Sequence, residues 1–146
     1  INIKQAVTKG LEVCIEAKPM DELSLKANYT FTDARDTSPD SPDFDKKLLR
    51  RPESKLGFYT SYSFIPKTNI NAEVIWVGVR EDVDFSTYQR TELKGYVLLN
   101  LAAHYDVFDF LRLNARAENL LDTDYEEVYG YGTAGLSFYG GIKLSL

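Results

Sequence analysis

The chain has 146 residues and a formal net charge of −5, with 10 tyrosines and 8 phenylalanines. Its single cysteine, Cys14, excludes an internal disulfide and a cysteine zinc site. The acidic balance argues against nucleic-acid binding. No run of about 18 apolar residues occurs, as a membrane helix would need, although the strands of a membrane barrel alternate and average out as mildly polar.

Apolar and polar residues alternate with period two along most of the chain, which indicates β-strands rather than helices. Successive side chains of a strand point to opposite sides, so each predicted strand has one apolar and one polar face. The seven predicted strands span residues 11–18, 23–32, 55–64, 70–77, 99–106, 112–118 and 137–146.

The connections between these strands alternate in length. Three are tight turns and three are long loops, and in an up-and-down meander all the long loops lie at one end. Outer-membrane barrels have this asymmetry. The turns are Pro19–Glu22, Ile65–Thr68 and Val107–Phe110, and the loops are Asp33–Pro52, Glu81–Gly95 and Asp122–Ala134.

Alternation alone does not determine which face is outside. A soluble barrel of the lipocalin type turns its apolar face inward, and it would show the same pattern. The membrane alternative is favoured because many aromatic residues share the apolar parity near strand ends, where interfacial girdles lie. These aromatic residues are Tyr29, Phe31, Phe58, Tyr62, Phe64, Trp76, Tyr105 and Phe138.

In a membrane barrel the apolar parity predicts that Ala27, Phe58 and Val74 face lipid, whereas Asn28 and Asn100 face the lumen. Seven strands do not suit a closed barrel, because single-chain bacterial barrels have even strand numbers and unpaired edges are costly in lipid. The chain is therefore predicted to be one section of a larger antiparallel barrel.

The end of the chain carries three neighbouring motifs. The run AENLLDTDY at Ala117–Tyr125 precedes the glycine-tyrosine run YGYGTAG at Tyr129–Gly135, and FYGG follows at Phe138–Gly141. These runs, together with the Arg-Arg-Pro that ends Leu48–Pro52, resemble the C-terminal part of TonB-dependent outer-membrane receptors. The segment from Tyr125 to Gly135 is most similar to cobalamin receptors.

This resemblance implies that residues 1–146 form about the C-terminal third of a 22-stranded transmembrane β-barrel in the outer membrane of a Gram-negative bacterium. It implies a receptor that binds a scarce nutrient, with cobalamin favoured, and that imports it with TonB-derived energy. The expected partners are the remaining strands, an N-terminal plug domain absent from this chain, the TonB complex acting through that plug, and membrane lipid with lipopolysaccharide.

Other functions stay open on the residues alone. Within the same superfamily, an iron–siderophore or haem receptor is the alternative to a cobalamin receptor. From different classes, a soluble ligand-binding barrel and an adhesin-like surface barrel share the strand pattern. No catalytic or metal motif is found, so no enzyme activity, cofactor or metal is expected.

The candidate ligand-binding residues lie in the long loops. In cobalamin receptors the first arginine of the matching pair lies near the ligand, which the resemblance transfers to Arg50, with Arg51 beside it. The alternative for Arg50 is an ion pair with the Asp-rich first loop. Tyrosine and arginine are usual in binding surfaces. The other candidates are Tyr88, Arg90, Tyr129 and Tyr131.

Arg112, Arg116, Glu118 and Lys143 share the polar parity and are predicted to face the lumen. They could contact a plug domain or pair with one another across neighbouring strands. The first long loop is rich in aspartate, but it lacks the order of a calcium-binding loop and is predicted to be a solvated, mobile loop.

Overall fold

The alternating segments pair into one antiparallel sheet. The computed structural model describes residues 5–145, in which neighbouring strands of the main sheet follow the order β1-β2-β3-β4-β7-β8-β11. Eleven strands are found in these residues: β1 Ala6–Met20, β2 Leu23–Asp36, β3 Ser54–Tyr62, β4 Thr68–Val77, β5 Arg80–Asp84, β6 Gln89–Leu93, β7 Tyr96–Phe108, β8 Leu111–Glu118, β9 Glu126–Val128, β10 Tyr131–Gly132 and β11 Ser137–Leu144.

The seven strands of the main sheet confirm the seven predicted strands and their up-and-down order. Each pairs antiparallel with its neighbour. The tight turns fall where the sequence placed them, as at Asp21 and Glu22 between β1 and β2. Leu146, the end of the seventh predicted strand, lies outside the described residues.

Several strands are longer than the alternation indicates, and β1, β2 and β7 differ most, with β7 covering Tyr96–Phe108 rather than residues 99–106. β1 begins at Ala6 rather than Leu11, and β2 continues to Asp36, because the ladder extends through Ala6–Asp36 and Thr8–Ala34. These added residues are mostly polar or small. Ladder hydrogen bonds require only backbone groups, so they continue where no apolar pattern marks a strand.

The register confirms two distinct faces. On one face Ala27 lies opposite Phe58, which lies opposite Val74. On the other face, in the adjacent row of the register, Tyr59 lies opposite Glu73, which lies opposite Asn100. A cavity of about 740 Å³ lies on this polar face and is lined by side chains that include Lys26, Tyr59, Glu73, Asn100, Arg116 and Glu118.

The few buried side chains lie at the end of the sheet that carries the long connections, rather than on either face. Buried apolar residues there are Val77, Val83, Leu93 and Tyr96. In the described part of the chain no helix is long and apolar enough to cross a membrane. Packing among the long connections therefore supplies most of the buried interior of this chain.

A test of the two faces compares Val74 and Asn28, which lie in adjacent rows of the register on opposite faces of the sheet. Because the apolar face is predicted to contact lipid, Val74→Arg should lower the free energy of unfolding of the membrane-embedded protein by about 2–4 kcal/mol. Asn28→Arg should cost far less, since Asn28 lies opposite Cys14 and Gly57 on the polar face. Denaturant titration in bilayers measures both, and equal losses would contradict the assignment.

Candidate binding surface

Three long connections meet at one end of the sheet, and we name them by their residues. Loop 1 is residues 37–53, loop 2 is residues 78–95 and loop 3 is residues 119–136. Loop 2 folds into the hairpin β5–β6, and loop 3 contains the short pair β9–β10. The three loops contact one another, and together we call them the loop cluster.

Asp82 of β5 lies at the centre of the loop cluster and is fully buried. Its Oδ1 accepts hydrogen bonds from Arg50 Nε at 2.9 Å and from the Val83 backbone N–H at 2.8 Å. Its Oδ2 accepts the backbone N–H of Tyr129 at 2.8 Å. One carboxylate of loop 2 therefore binds both loop 1 and loop 3.

The electrostatics of Asp82 keep it charged. Burial favours the neutral acid, but the hydrogen bonds from Tyr129, Val83 and Arg50 outweigh burial and hold the pKa below its usual value. A lowered pKa means that these contacts are fully present above the ordinary aspartate range. They weaken only as the pH falls through the lowered pKa of the folded state.

Arg50 reaches Asp82 because of its backbone conformation. It has a positive φ of 58°, and its N–H donates to the carbonyl of Glu81 at 2.7 Å. The guanidinium carbon lies 5.5 Å from the ring centroid of Phe85, a cation–π distance. The expected alternative, an ion pair with the Asp-rich first loop, was wrong, since the partner is Asp82 in loop 2.

A second arginine joins loop 1 to loop 2. The guanidinium of Arg90 pairs with Asp43 at 3.3 Å and donates through Nε to Glu81 at 2.6 Å. It also donates to the carbonyl of Lys47. Arg90, predicted as a ligand contact, is therefore largely occupied by these loop contacts, whereas the neighbouring Tyr88 is 82% exposed at the hairpin tip.

A third arginine joins loop 2 to loop 3. Arg80 is buried, donates to the carbonyl of Glu126 and lies 5.3 Å from the ring centroid of Tyr96. Arg80 and Asp82 were both missed by sequence reasoning. They lie in a run of charged residues within a long loop, and such residues are seldom fully buried, so the sequence suggests a solvated face rather than a buried one.

The Asn-Leu-Leu-Asp motif closes the base of loop 3. Asn119 is buried, its Nδ2 donates to the carbonyls of Thr123 at 2.9 Å and Ala134 at 3.3 Å, and its Oδ1 accepts the Thr123 N–H at 2.9 Å. Asp122 Oδ1 accepts the Leu136 N–H at 2.9 Å. The motif therefore has a structural role that its spacing alone does not reveal.

The junction of β2 and loop 1 is more buried than a solvated loop would be. Asp36 and Ser38 are buried, at 3% and 4% exposure. Asp36 accepts hydrogen bonds from the Ser38 N–H at 2.8 Å and from the Ser41 hydroxyl at 2.7 Å. The expectation that Asp33–Pro52 is solvated was therefore wrong for these two residues, and its mobility stays a prediction. Within residues 5–145 no group of three or more His, Cys, Asp or Glu side chains is placed to hold a metal.

Two clefts open between the loops. The Arg50 cleft, of about 370 Å³, is lined by residues of all three loops, among them Arg50, Phe85, Glu127 and Tyr131. The Tyr88 cleft, of about 750 Å³, lies between loops 1 and 2 and includes Tyr88 and Arg90. Arg51 and Tyr129 line neither cleft, and Tyr129 contributes its backbone N–H to Asp82.

Three of the four predicted lumen residues form ion pairs, one across neighbouring strands and one within a strand. Arg112 makes two hydrogen bonds to Asp106 on the adjacent strand, at 2.5 and 2.9 Å. Arg116 lies 3.2 Å from Glu118 on its own strand. Lys143 lies opposite Arg112 in the register, so these two like charges are not partners. Contact of these residues with a plug domain stays a prediction.

The architecture defines a class of protein: a transmembrane antiparallel sheet with an apolar outer face, a polar inner face and long loops gathered at one end. A sequence model of the family described as TonB dependent receptor-like, beta-barrel, matches residues 1–120. The chain belongs to this family, and it is located in the bacterial outer membrane. The match ends just before the glycine-tyrosine run of loop 3.

Solved receptors share the fold. The pyoverdine outer membrane receptor FpvA from Pseudomonas aeruginosa is 23% identical, with a TM-score of 0.78 over 97% of this chain and 22% of its own. The siderophore receptor PiuA from Acinetobacter baumannii is 17% identical, with a TM-score of 0.80 and coverages of 95% and 22%. The ferric-catecholate import receptor Fiu from Escherichia coli K12 is 18% identical, with a TM-score of 0.79 and coverages of 94% and 20%. The chain thus spans about a fifth of each receptor.

The role of Asn119 can be tested by proteolysis of loop 3. Asn119→Ala leaves buried backbone groups of loop 3 without partners, at a cost of about 1–3 kcal/mol. Chymotrypsin cleavage after Tyr125, Tyr129 or Tyr131 should then accelerate about fivefold to a hundredfold, since cleavage follows the population of the open loop. Asn114→Ala, at an exposed asparagine of the preceding strand β8, is the control. Equal cleavage of both variants would contradict the assigned role.

Proposed function

We propose that this chain is part of an outer-membrane receptor that binds a scarce nutrient on its loop cluster and imports it with energy from the TonB complex. The observation that carries the proposal is the joining of all three long loops into one surface with two clefts. Such a surface at one end of a transmembrane sheet suits capture of a small molecule rather than covalent catalysis.

The side chains of the Arg50 cleft support binding. Tyr131 is 66% exposed, and tyrosine provides a large contact area with little conformational entropy to lose. The side chain of Arg50 is 41% exposed, and its guanidinium carries hydrogen-bond donors suited to phosphate or amide oxygens. Glu127 adds a carboxylate on the loop 3 side. Aromatic area and charged donors are therefore combined in one cleft.

The two faces of the sheet suit the other expected partners. The polar face, with its cavity of about 740 Å³, would receive the plug domain, through which the TonB complex would act. The apolar face would contact lipid, and the outer rim would contact lipopolysaccharide. Each of these partners lies outside this chain.

Cobalamin is our first candidate for the nutrient. The glycine-tyrosine run that resembles cobalamin receptors forms the loop 3 wall of the Arg50 cleft. Loop 3 also carries four carboxylates over Asp122–Glu127 and no basic residue. The negative field of these carboxylates repels strongly anionic chelates such as ferric tris-catecholates, whereas cobalamin has no comparable negative charge.

A ferric siderophore is the second candidate. The supporting observation is that solved receptors with this fold include ones for pyoverdine and other siderophores. The acidic loop 3 would then favour a chelate with little negative charge. The two candidates therefore differ in the metal complex bound, while the loop cluster that binds it is the same.

Binding of cyanocobalamin and ferric pyoverdine to the complete receptor tests this function. Tyr131→Ala should weaken the bound probe about tenfold, equivalent to ~1.4 kcal/mol, because an exposed aromatic contact is lost. Tyr105→Ala, an exposed tyrosine on the apolar face, is the matched control and should leave affinity unchanged.

Tight binding of ferric pyoverdine without cyanocobalamin would replace the first candidate with the second. A complete receptor that binds neither probe would exclude cobalamin and ferric pyoverdine as its cargo. Equal weakening by Tyr131→Ala and Tyr105→Ala would remove the Arg50 cleft from the binding site.

A further inference from the structure

We propose that Asp82 is a positioning residue that holds the walls of the Arg50 cleft in place before any cargo binds. The part of this inference that concerns cargo rests on the proposed function. The part that concerns the order of the loops stands on the contacts alone and is testable without a ligand.

The contacts of Asp82 link opposite walls of the cleft. Arg50 contributes one wall from loop 1, and its Nε is held by Oδ1 of Asp82. Tyr131 contributes another wall from loop 3, two residues after Tyr129, whose N–H is held by Oδ2 of the same carboxylate. Both walls are therefore held by the same buried carboxylate.

Other contacts between the loops do not replace this link. Arg90 joins loop 1 to loop 2, and Arg80 joins loop 2 to loop 3. Among the described residues, Asp82 is the side chain whose hydrogen bonds reach both loop 1 and loop 3. Neutralising it should leave the loops attached in pairs while the relative position of the two cleft walls becomes variable.

The same contacts define what Arg50 offers to a ligand. Asp82 occupies Nε, so Nη1 and Nη2 are left for a bidentate contact with a cargo oxygen. The ion pair also offsets the charge of Arg50, and Glu127 lies nearby on the cleft wall. The cleft therefore offers hydrogen-bond donors but little net positive charge. It should bind a neutral amide or a singly charged phosphodiester in preference to a polyanion.

The first experiment uses the complete receptor in bilayers without ligand. Nitroxide labels are placed at two exposed positions, Arg51 in loop 1 and Asp124 in loop 3, after Cys14 and any cysteine in the rest of the receptor are replaced by serine. Double electron–electron resonance then gives the distribution of distances between the labels. The unmutated receptor should give one narrow distribution, and Asp82→Asn should broaden it.

Asp84→Asn is the matched control on the same hairpin. Asp84 bonds within its own turn, to the N–H and hydroxyl of Ser86. This variant should keep the narrow distribution. Should Asp82→Asn fail to assemble, as judged by heat-modifiable gel mobility, Arg50→Gln tests the same link from its exposed end and should also broaden the distribution. A narrow distribution in Asp82→Asn, or in Arg50→Gln where that variant is used, would overturn the proposal.

The second experiment is a double-mutant cycle with cyanocobalamin and ferric pyoverdine as probes. Asp82→Asn and Arg50→Gln should each weaken the bound probe at least tenfold, and the double variant should be no weaker than Asp82→Asn alone. Additive losses would show that Asp82 does not act through Arg50 and would overturn the positioning role. Failure to bind either probe excludes cobalamin and ferric pyoverdine as cargo, and the distance measurement still decides the role of Asp82.

Discussion

The loop cluster depends on one buried carboxylate. A charge removed from water is costly unless hydrogen bonds and an opposite charge compensate it, and removal of one partner of a buried pair costs about 3–5 kcal/mol. Asp82 meets that requirement only when Arg50 of loop 1 and Tyr129 of loop 3 are both in place. The requirement for charge compensation therefore acts as a constraint on the relative positions of three loops that are far apart in sequence.

The sheet and the loop cluster are stabilised in different ways. The strands have few buried side chains in this chain, because one face is apolar toward lipid and the other is polar toward the lumen. The loops have the opposite character, with buried Asp82 and Asn119 held by hydrogen bonds, and with buried Arg80 held by one hydrogen bond while its Nη1 has no partner among the residues that the structure describes. Long loops on a rigid membrane sheet can thus form a defined binding surface without a large apolar core, provided that most of their polar groups are paired.

The strands of the main sheet could be predicted from the sequence, because period-two alternation follows directly from strand geometry. The sequence located all seven strands, the turn at Asp21 and Glu22, and the end where the long loops gather. The contacts of the loop cluster could not be predicted from the sequence, because they join residues about 30 to 50 positions apart. Arg50 was predicted as a binding residue, which stays a prediction, but its partner Asp82 carries no motif, and the β5–β6 hairpin has no alternation of apolar residues to mark it.

The most direct measurement of the central claim is hydrogen exchange of the Tyr129 backbone amide in the cargo-free, complete receptor. The account predicts slow exchange at this amide, because its N–H is held by a buried carboxylate. It also predicts that Asp82→Asn raises the rate while amides in the middle of the sheet are unaffected. A Tyr129 amide that exchanges as fast as an exposed loop amide in the unmutated receptor would contradict the account.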